Sequence, residues 1–404
     1  MALECSTRKR AIPHEIRGVT PHWTLVLLFI PLMAHLSQLW GWHHQFHGAL
    51  QVKPQKAEDR PVSKTTANSI TVVLPVRNEA ATLPRLINDL ANGLTQPFEI
   101  IVIDDASDDG TVQAIAPMSK WPFPVRCIAN PSNGKKAGLS AGIKAAQTEW
   151  VVQVDADVRI QPGFLSAVLE HLASDGANSD MLLLPLRLAD KAKGAPARMF
   201  DLLQALDFAA MQGWAVAAVL RHKPAMASGG AWVWRQSAFP HDQLRPELAS
   251  GDDVFSLAAL IERGDGHRVG WCGHPEAMAS AAPMPDLGSL LDQRIRWGAK
   301  STAYPKTLSE ARRVATIIAT VHISGLALMI AHPPTGLLFW TAKAFGDMVY
   351  TQGVAKAYGL FDQMGIIKRW SSLLLLAFVH PPFIITTMLL MPFRTARWKG
   401  RKAP

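Results

Sequence analysis

Charge is scarce in this chain. Only 18% of the 404 residues are charged while 49% are hydrophobic, against about 25% charged in soluble globular domains. That shortfall excludes a single ordinary soluble domain and directs the search to membrane segments. Cysteine is nearly missing as well. Cys5, Cys127 and Cys272 are far apart and odd in number, which excludes a disulfide framework or a zinc-ligand spacing and fits a reduced compartment.

The net charge is +9. A basic balance suits nucleic acid, anionic lipid or an anionic substrate. Here Arg8, Lys9 and Arg10 precede one apolar run, and Arg394, Arg397, Lys399, Arg401 and Lys402 follow another. Basic clusters beside apolar runs favour lipid head groups and speak against nucleic acid.

Residues 23–42 form an apolar run of spanning length, since about 20 residues at a rise of 1.5 Å cross the hydrocarbon core. Trp23, Trp40 and Trp42 sit at its ends like interfacial aromatics, and no small-residue cleavage site follows, so the run reads as an anchor. Residues 1–22 are then a tail and 43–69 a polar linker. From residue 70 to about 280 the pattern predicts a soluble α/β domain. Apolar strands at 70–75, 99–103, 150–154 and 181–185 alternate with helical stretches. Residues 281–313 read as an interfacial amphipathic segment, and 314–392 hold further apolar runs at 314–331, 335–354 and 371–391. The middle one carries Lys343 and Asp347 at i and i+4, which predicts a pair on one helix face. Residues 393–404 are a basic tail. Two to three C-terminal runs are therefore expected to span.

Six segments carry chemistry. The first strand ends in Val76-Arg77-Asn78-Glu79. Ligands of open α/β sheets bind beyond strand carboxyl ends, so Arg77 and Glu79 are placed for a nucleotide, although a solvated turn has the same look. The second strand runs into Asp104-Asp105-Ala106-Ser107-Asp108-Asp109-Gly110-Thr111. Helix capping needs one such residue, not four. Adjacent Asp104 and Asp105 repel unless a uracil N–H, a ribose hydroxyl or a cation supplies a donor. The third segment is Gly134-Lys135-Lys136-Ala137-Gly138-Leu139-Ser140-Ala141-Gly142. It lacks the Walker A spacing, and a diphosphate cradle and a basic helix start remain equally open.

The fourth segment is a strand ending in Asp155-Ala156-Asp157. Residues i and i+2 share a face, so both carboxylates can converge on one hard cation and neutralise a diphosphate leaving group. The fifth, Ser250-Gly251-Asp252-Asp253, opens a helix. Its crowded carboxylates predict one raised pKa, as suits a base, beside the plainer reading of first-turn acids favoured by the helix dipole. In the sixth, Gln293-Arg294-Ile295-Arg296-Trp297, helical spacing puts Gln293, Arg296 and Trp297 on one face. Trp297 offers a stacking surface for a sugar ring, and the polar pair can bond hydroxyls or phosphate oxygens.

Taken in order from 70 to 304, these segments resemble the inverting family-2 glycosyltransferases, which include the cellulose, chitin and hyaluronan synthases. The ordered set Asp-Asp, Asp-X-Asp, carboxylate-Asp and Gln-X-X-Arg-Trp carries the resemblance, helped by Ser228-Gly229-Gly230-Ala231. It implies a GT-A fold (a Rossmann-like mixed sheet) and a metal-dependent, inverting hexosyl transfer from a UDP-sugar. Asp104 and Asp105 would sit at the uridine with Glu79 and Arg77 nearby, and Lys135 matches the lysine of the family's Gly-Lys stretch. Asp155 and Asp157 would face the diphosphate with Mg²⁺ or Mn²⁺. Asp253 would be the base, preceded here by Asp252 where the family often has glutamate. Gln293, Arg296 and Trp297 would close over donor and acceptor.

The expected acceptor is a lipid-linked or growing saccharide of the cell envelope. Short membrane hairpins beside the site suit a lipid, while Gln-Arg-Ile-Arg-Trp also supports a processive polysaccharide synthase. A non-catalytic carbohydrate-binding scaffold would not need Asp155, Asp157 and Asp253 together. Charge leaves the topology open. The chemistry places the catalytic domain at the cytoplasmic face of the inner membrane, where nucleotide sugars are made.

Overall fold

The structure, a computed structural model, describes residues 22–50, 70–189, 198–245, 248, 251–394, 397–398 and 401–402, without the side chains of 22–26, 47–50, 302, 397–398 and 401–402. Cys5, the N-terminal tail and most of the expected linker lie outside the described residues. The remainder of that linker, through Leu50, is helical.

The chain begins with α1 (His22–Leu50) and enters a sheet domain. This contains β1 (Ile70–Val76), α2 (Leu83–Ala91), β2 (Glu99–Asp104), α3 (Thr111–Ala114), β3 (Val125–Ala129), α4 (Lys135–Ala145), β4 (Trp150–Val154) and α5 (Phe164–Leu172). Then follow β5 (Met181–Leu183), β6 (Leu186–Leu188), α6 (Met199–Leu220), β7 (Ala231–Arg235), α7 (Asp252–Glu262), β8 (Val269–Trp271) and β9 (Ala279–Ala281). Four helices close the fold: α8 (Leu287–Ala299), α9 (Ser309–Ala331), α10 (Pro333–Ala357) and α11 (Ile366–Leu390).

The main sheet has the order β3-β2-β1-β4-β7-β5-β8. All its pairs are parallel except those of β7, which runs against β4 and β5. Both faces are buried, as parallel sheets require. Alternate strand residues enter opposite cores: Val72, Leu74, Val102 and Val152 face one, and Val73, Ile101, Ile103 and Val151 the other. The first strands were expected as continuous apolar runs, and the structure has them.

The parallel strands place their carboxyl ends along one edge, and β7 brings its own start to that edge. Val154 pairs with Ala231, and Asp155 N donates to Gly230 O at 3.0 Å. Helix α4 lies close to β1 and β2 because Gly142 has no side chain. A Cβ there would meet Ile103 Cδ1 at 2.5 Å and Val73 Cγ1 at 2.6 Å. The glycine spacing of the third segment thus serves helix–sheet packing, and α4 starts with Lys135 at the ligand edge.

Helices α6, α9 and α11 are long and apolar enough to cross a membrane. Most of α6 is buried inside the molecule, so its composition reflects a core position. Helices α9 and α11 instead expose Ile323, Ile330, Phe378 and Leu389. Helix α10 falls over the middle expected C-terminal run but is more polar, and Lys343 Nζ lies 2.5 Å from Asp347 Oδ2. Asp347 also takes His35 of α1 at 2.7 Å.

Candidate active site

One cavity of about 900 Å³ opens at the ligand edge of the sheet and runs on between the helices. Of the residues singled out by sequence, Arg77, Glu79, Asp105, Lys135, Asp155, Asp157, Asp252, Asp253, Gln293, Arg296 and Trp297 all line it. Asp104 is not among the lining residues. Its carboxylate holds the following turn instead, accepting from Ser107 N at 3.3 Å.

Adjacent Asp104 and Asp105 need no external donor. Asp105 is buried, and its Oδ1 accepts from Asn130 Nδ2 at 2.9 Å and Gly134 N at 3.1 Å. Arg77 Nη1 donates to Asp105 O at 2.7 Å, tying the end of β1 to the end of β2. Glu79 N donates to Thr111 Oγ1 at 2.8 Å, and Glu79 Oε2 accepts from Thr82 Oγ1. The protein itself thus shapes this corner, with Asn130 as the residue that sequence reasoning missed.

Lys135 is the centre of charge. Its Nζ lies 2.8 Å from Asp155 Oδ1, 3.1 Å from Asp252 Oδ2 and 3.1 Å from Gly229 O. Burial pushes the lysine pKa down, but the two carboxylates outweigh it and hold the ammonium well above the usual lysine range. One of the adjacent pair Asp252 and Asp253 was expected to have a raised pKa, and Asp252 does not. Burial does raise it, yet Lys135 pulls harder and leaves it below the ordinary value. The raised carboxyl is Asp155, where burial exceeds the pull of Lys135 and Asp157 adds repulsion.

Asp253 stands in the first turn of α7 after Gly251, whose φ of +89° suits glycine. Its Oδ1 accepts from Val254 N at 2.8 Å and lies 3.9 Å from Lys300 Nζ. Lys300 and Tyr304 are lining residues not singled out by the sequence reading. Burial, reinforced by Asp253, raises the Tyr304 pKa, so its hydroxyl keeps its proton.

Helix α8 forms the opposite wall. Gln293, Arg296 and Trp297 share its cavity face. Arg294 points away and holds the helix: its Nη2 meets Asp207 Oδ2 of α6 at 2.6 Å, and its guanidinium stacks 4.5 Å from the Trp297 ring. Burial pushes Arg296 down, with Asp253, Asp252 and Asp155 pulling it back.

Beyond this charged end the cavity continues along α6, α9 and α11, lined by Phe208, Met211, Val314, Ile318, Ile384 and Met388. On each helix these named positions are three or four residues apart, one face of a turn.

The glycosyl transferase family 2 model matches residues 71–239, the part that carries Arg77 to Asp157. An undecaprenyl-phosphate 4-deoxy-4-formamido-L-arabinose transferase of Aeromonas hydrophila is 32% identical over 114 residues, 27% of this chain and 35% of that one. A pre-mycofactocin glycosyltransferase of Mycobacterium tuberculosis is 28% identical over 283 residues, 68% of this chain and 54% of that one. The chain thus spans about a third to a half of the length of these relatives. A mannosyltransferase from Pyrobaculum calidifontis, solved with GDP-Man and Mn²⁺, superimposes with a TM-score of 0.52 at 18% identity. The match covers 91% of this chain and 99% of that one. At that identity the likeness concerns the fold. Residues 71–239 thus match the family-2 glycosyltransferase model, and the fold is of the GT-A kind.

Proposed function

We propose that this chain is a membrane-bound inverting glycosyltransferase that moves a sugar from a UDP-sugar to a hydroxyl of a membrane-borne acceptor, lipid-linked or a growing saccharide. The observation that carries this reading is the convergence of Asp105, Lys135, Asp157, Asp253 and Trp297, from five separate segments, on one cavity that passes from a charged edge to apolar helices. A core has no need to bring these together, whereas a diphosphate donor and an amphipathic acceptor do.

In this reading the nucleoside lies against the Arg77, Glu79 and Asp105 corner. Lys135 offers positive charge to the diphosphate. Asp253 takes the acceptor hydroxyl proton as that oxygen bonds to the anomeric carbon and the bond to the diphosphate breaks, inverting the centre. Tyr304 donates from a protonated hydroxyl, and Gln293, Arg296 and Trp297 cover the sugar.

Among the described residues no cluster of three or more His, Cys, Asp or Glu has the grouping of a protein-only metal cage. The pair Asp155 and Asp157 fits the other mode, in which one or two carboxylates and the substrate phosphates share Mg²⁺ or Mn²⁺. Asp155 Oδ1 already takes Lys135 and Gln153 Nε2 at 2.8 Å each, so exposed Asp157 would be the main ligand. A divalent ion there would neutralise the departing diphosphate.

The proposed division is a catalytic domain at 70–280 on the cytoplasmic face of the inner membrane, a closing segment at 281–313, and membrane helices at 23–42 and within 314–392. Exposed Leu27, Ile30 and Met33 on α1 and Ile323 and Phe378 beyond support that embedding.

Asp253→Asn should lower transfer by about 10²–10⁴-fold, the usual worth of a positioned base, with UDP binding retained in calorimetry. Undiminished turnover removes Asp253 from the role. EDTA should stop transfer and added Mn²⁺ restore it; full activity in chelator defeats the metal assignment.

A further inference from the structure

The transferase reading leaves the apolar arm of the cavity unused. Its walls are the inner faces of α6, α9 and α11, while the outer faces of α9 and α11 expose Ile330 and Phe378. The same two helices thus meet the bilayer on one side and the cavity on the other. The apolar surface begins beside the base: Val254, next to Asp253, clusters with Ala218, Ala225 and Ala311, and Trp214 and Tyr304 pack against them.

Two observations define what the arm holds. First, none of the described lining residues from α6, α9 and α11 is charged. An anionic head drawn into this section would lose hydration without a partner. Second, Gln212 of α6 lines the arm, is 4% exposed, and its Nε2 has no hydrogen-bond partner. Thr316 of α9 is already satisfied, donating to Arg312 O at 2.9 Å. A buried donor with nothing to bond is unfavourable, and an uncharged amide in an apolar wall suits a neutral oxygen.

The nucleophile can be chosen on chemical grounds. A phosphate monoester has its second pKa near about 6 and attacks without a base. At the charged end it would meet Arg296 and Lys300, but it leaves Asp253 idle. A hydroxyl needs the base and no cation.

We propose that the arm is the acceptor subsite and that it takes a membrane lipid alcohol with an uncharged head, held by a hydrogen bond from Gln212 Nε2. This rests on the transferase reading and narrows its acceptor. The lipid's O–H proton passes to Asp253, its oxygen bonds to the anomeric carbon, and the nucleoside diphosphate leaves with the electron pair of the broken bond.

The test uses the full chain in phosphatidylcholine nanodiscs with Mn²⁺ and a panel of UDP-sugars. The acceptors are geranylgeraniol, dioleoylglycerol and geranylgeranyl phosphate. Transfer to an alcohol and not to the phosphate is expected. Gln212→Leu should raise KM for the alcohol about tenfold, the worth of one hydrogen bond, with kcat little changed and UDP binding as in the parent. Met388→Trp, which fills the arm from another helix, should abolish lipid transfer and leave UDP binding intact. Transfer to the phosphate alone overturns the proposal. So does a Gln212→Leu variant with the parent KM, or UDP binding with no transfer to either alcohol. Failure to bind any UDP-sugar would instead overturn the transferase reading, and UDP calorimetry separates that outcome from the others.

Discussion

Two ion-paired lysines in this molecule, Lys343 and Lys135, answer opposite purposes. Lys343 in α10 meets Asp347, which His35 of α1 also contacts, and the three side chains knit α1 to α10. No member of that set lines the cavity. Lys135 meets Asp155 and Asp252, with Asp157 near enough to raise Asp155. Here acid exceeds base around one ammonium, and the members line a cavity. The first cluster joins two helices outside the cavity lining, whereas the second leaves charge unbalanced where a ligand can enter. Imbalance at an accessible site, more than burial of charge, distinguishes binding from architecture.

The largest expected effect comes from Lys135→Met. Removing the cation proposed to face the diphosphate should cut donor-dependent turnover by about 10²–10³-fold, as for other preorganised donors. The melting temperature should move little, because the bordering cavity lets water reach the bereft carboxylates. Equal losses of stability and turnover would erase the distinction between the two lysines.

Lys343→Met should do the reverse. Removing one member of a buried pair is destabilising. Asp347 keeps His35, so a cost near the low end, about 3 kcal/mol, is expected. Turnover per folded molecule should stay within a factor of about two. A melting temperature equal to the parent's would show that the pair contributes nothing to the bundle.

The contrast between the clusters also explains what could be read from the chain. Lys343 and Asp347 are four residues apart on one helix, and their pairing is legible from spacing alone. Strands β1, β2, β4 and β5 were legible because buried parallel strands are unbroken apolar runs. Edge strand β3 is only partly buried, and β7 runs antiparallel through Trp232 and Trp234. Strand β3 is interrupted by Arg126 and lacks that pattern, whereas β7 is an apolar run of only four residues. Helix α6 is apolar on nearly all sides because it is packed on nearly all sides, so no stripe marked it.

In the site, the acidic residues stood out because each ends a strand or opens a helix. Their partners did not. Asn130 completes Asp105 from the end of β3, Lys300 approaches Asp253 from beyond α8, and Gln212 is one of two amides in an apolar helix. These depend on sheet order and helix packing, which no local spacing encodes. For the same reason Asp104 read as an equal of Asp105, although consecutive positions at a strand end diverge to opposite sides.

A third ion pair, between Asp207 of α6 and Arg294 of α8, lies between the two extremes and sharpens the comparison. It binds the wall that carries Gln293, Arg296 and Trp297, and His380 Nε2 of α11 approaches Asp207 Oδ1 at 3.5 Å. Burial pushes the Asp207 carboxyl up, but Arg294 beside it, helped by His380, brings it well below the usual range. A depressed folded pKa stabilises the fold above the unfolded value, about 3.9 for aspartate, and that stabilisation fades as pH falls toward the folded value. Asp207→Asn should therefore melt below the parent at pH 7, and the gap should narrow as pH drops under about 4. If the pair is architecture of the Lys343 kind, KM for the donor stays unchanged in Asp207→Asn. If it positions the closing wall, that KM rises a few-fold while the melting gap follows pH as stated. A gap that stays constant from pH 7 to 3.5 would mean that the Asp207 charge does not hold α8 against α6.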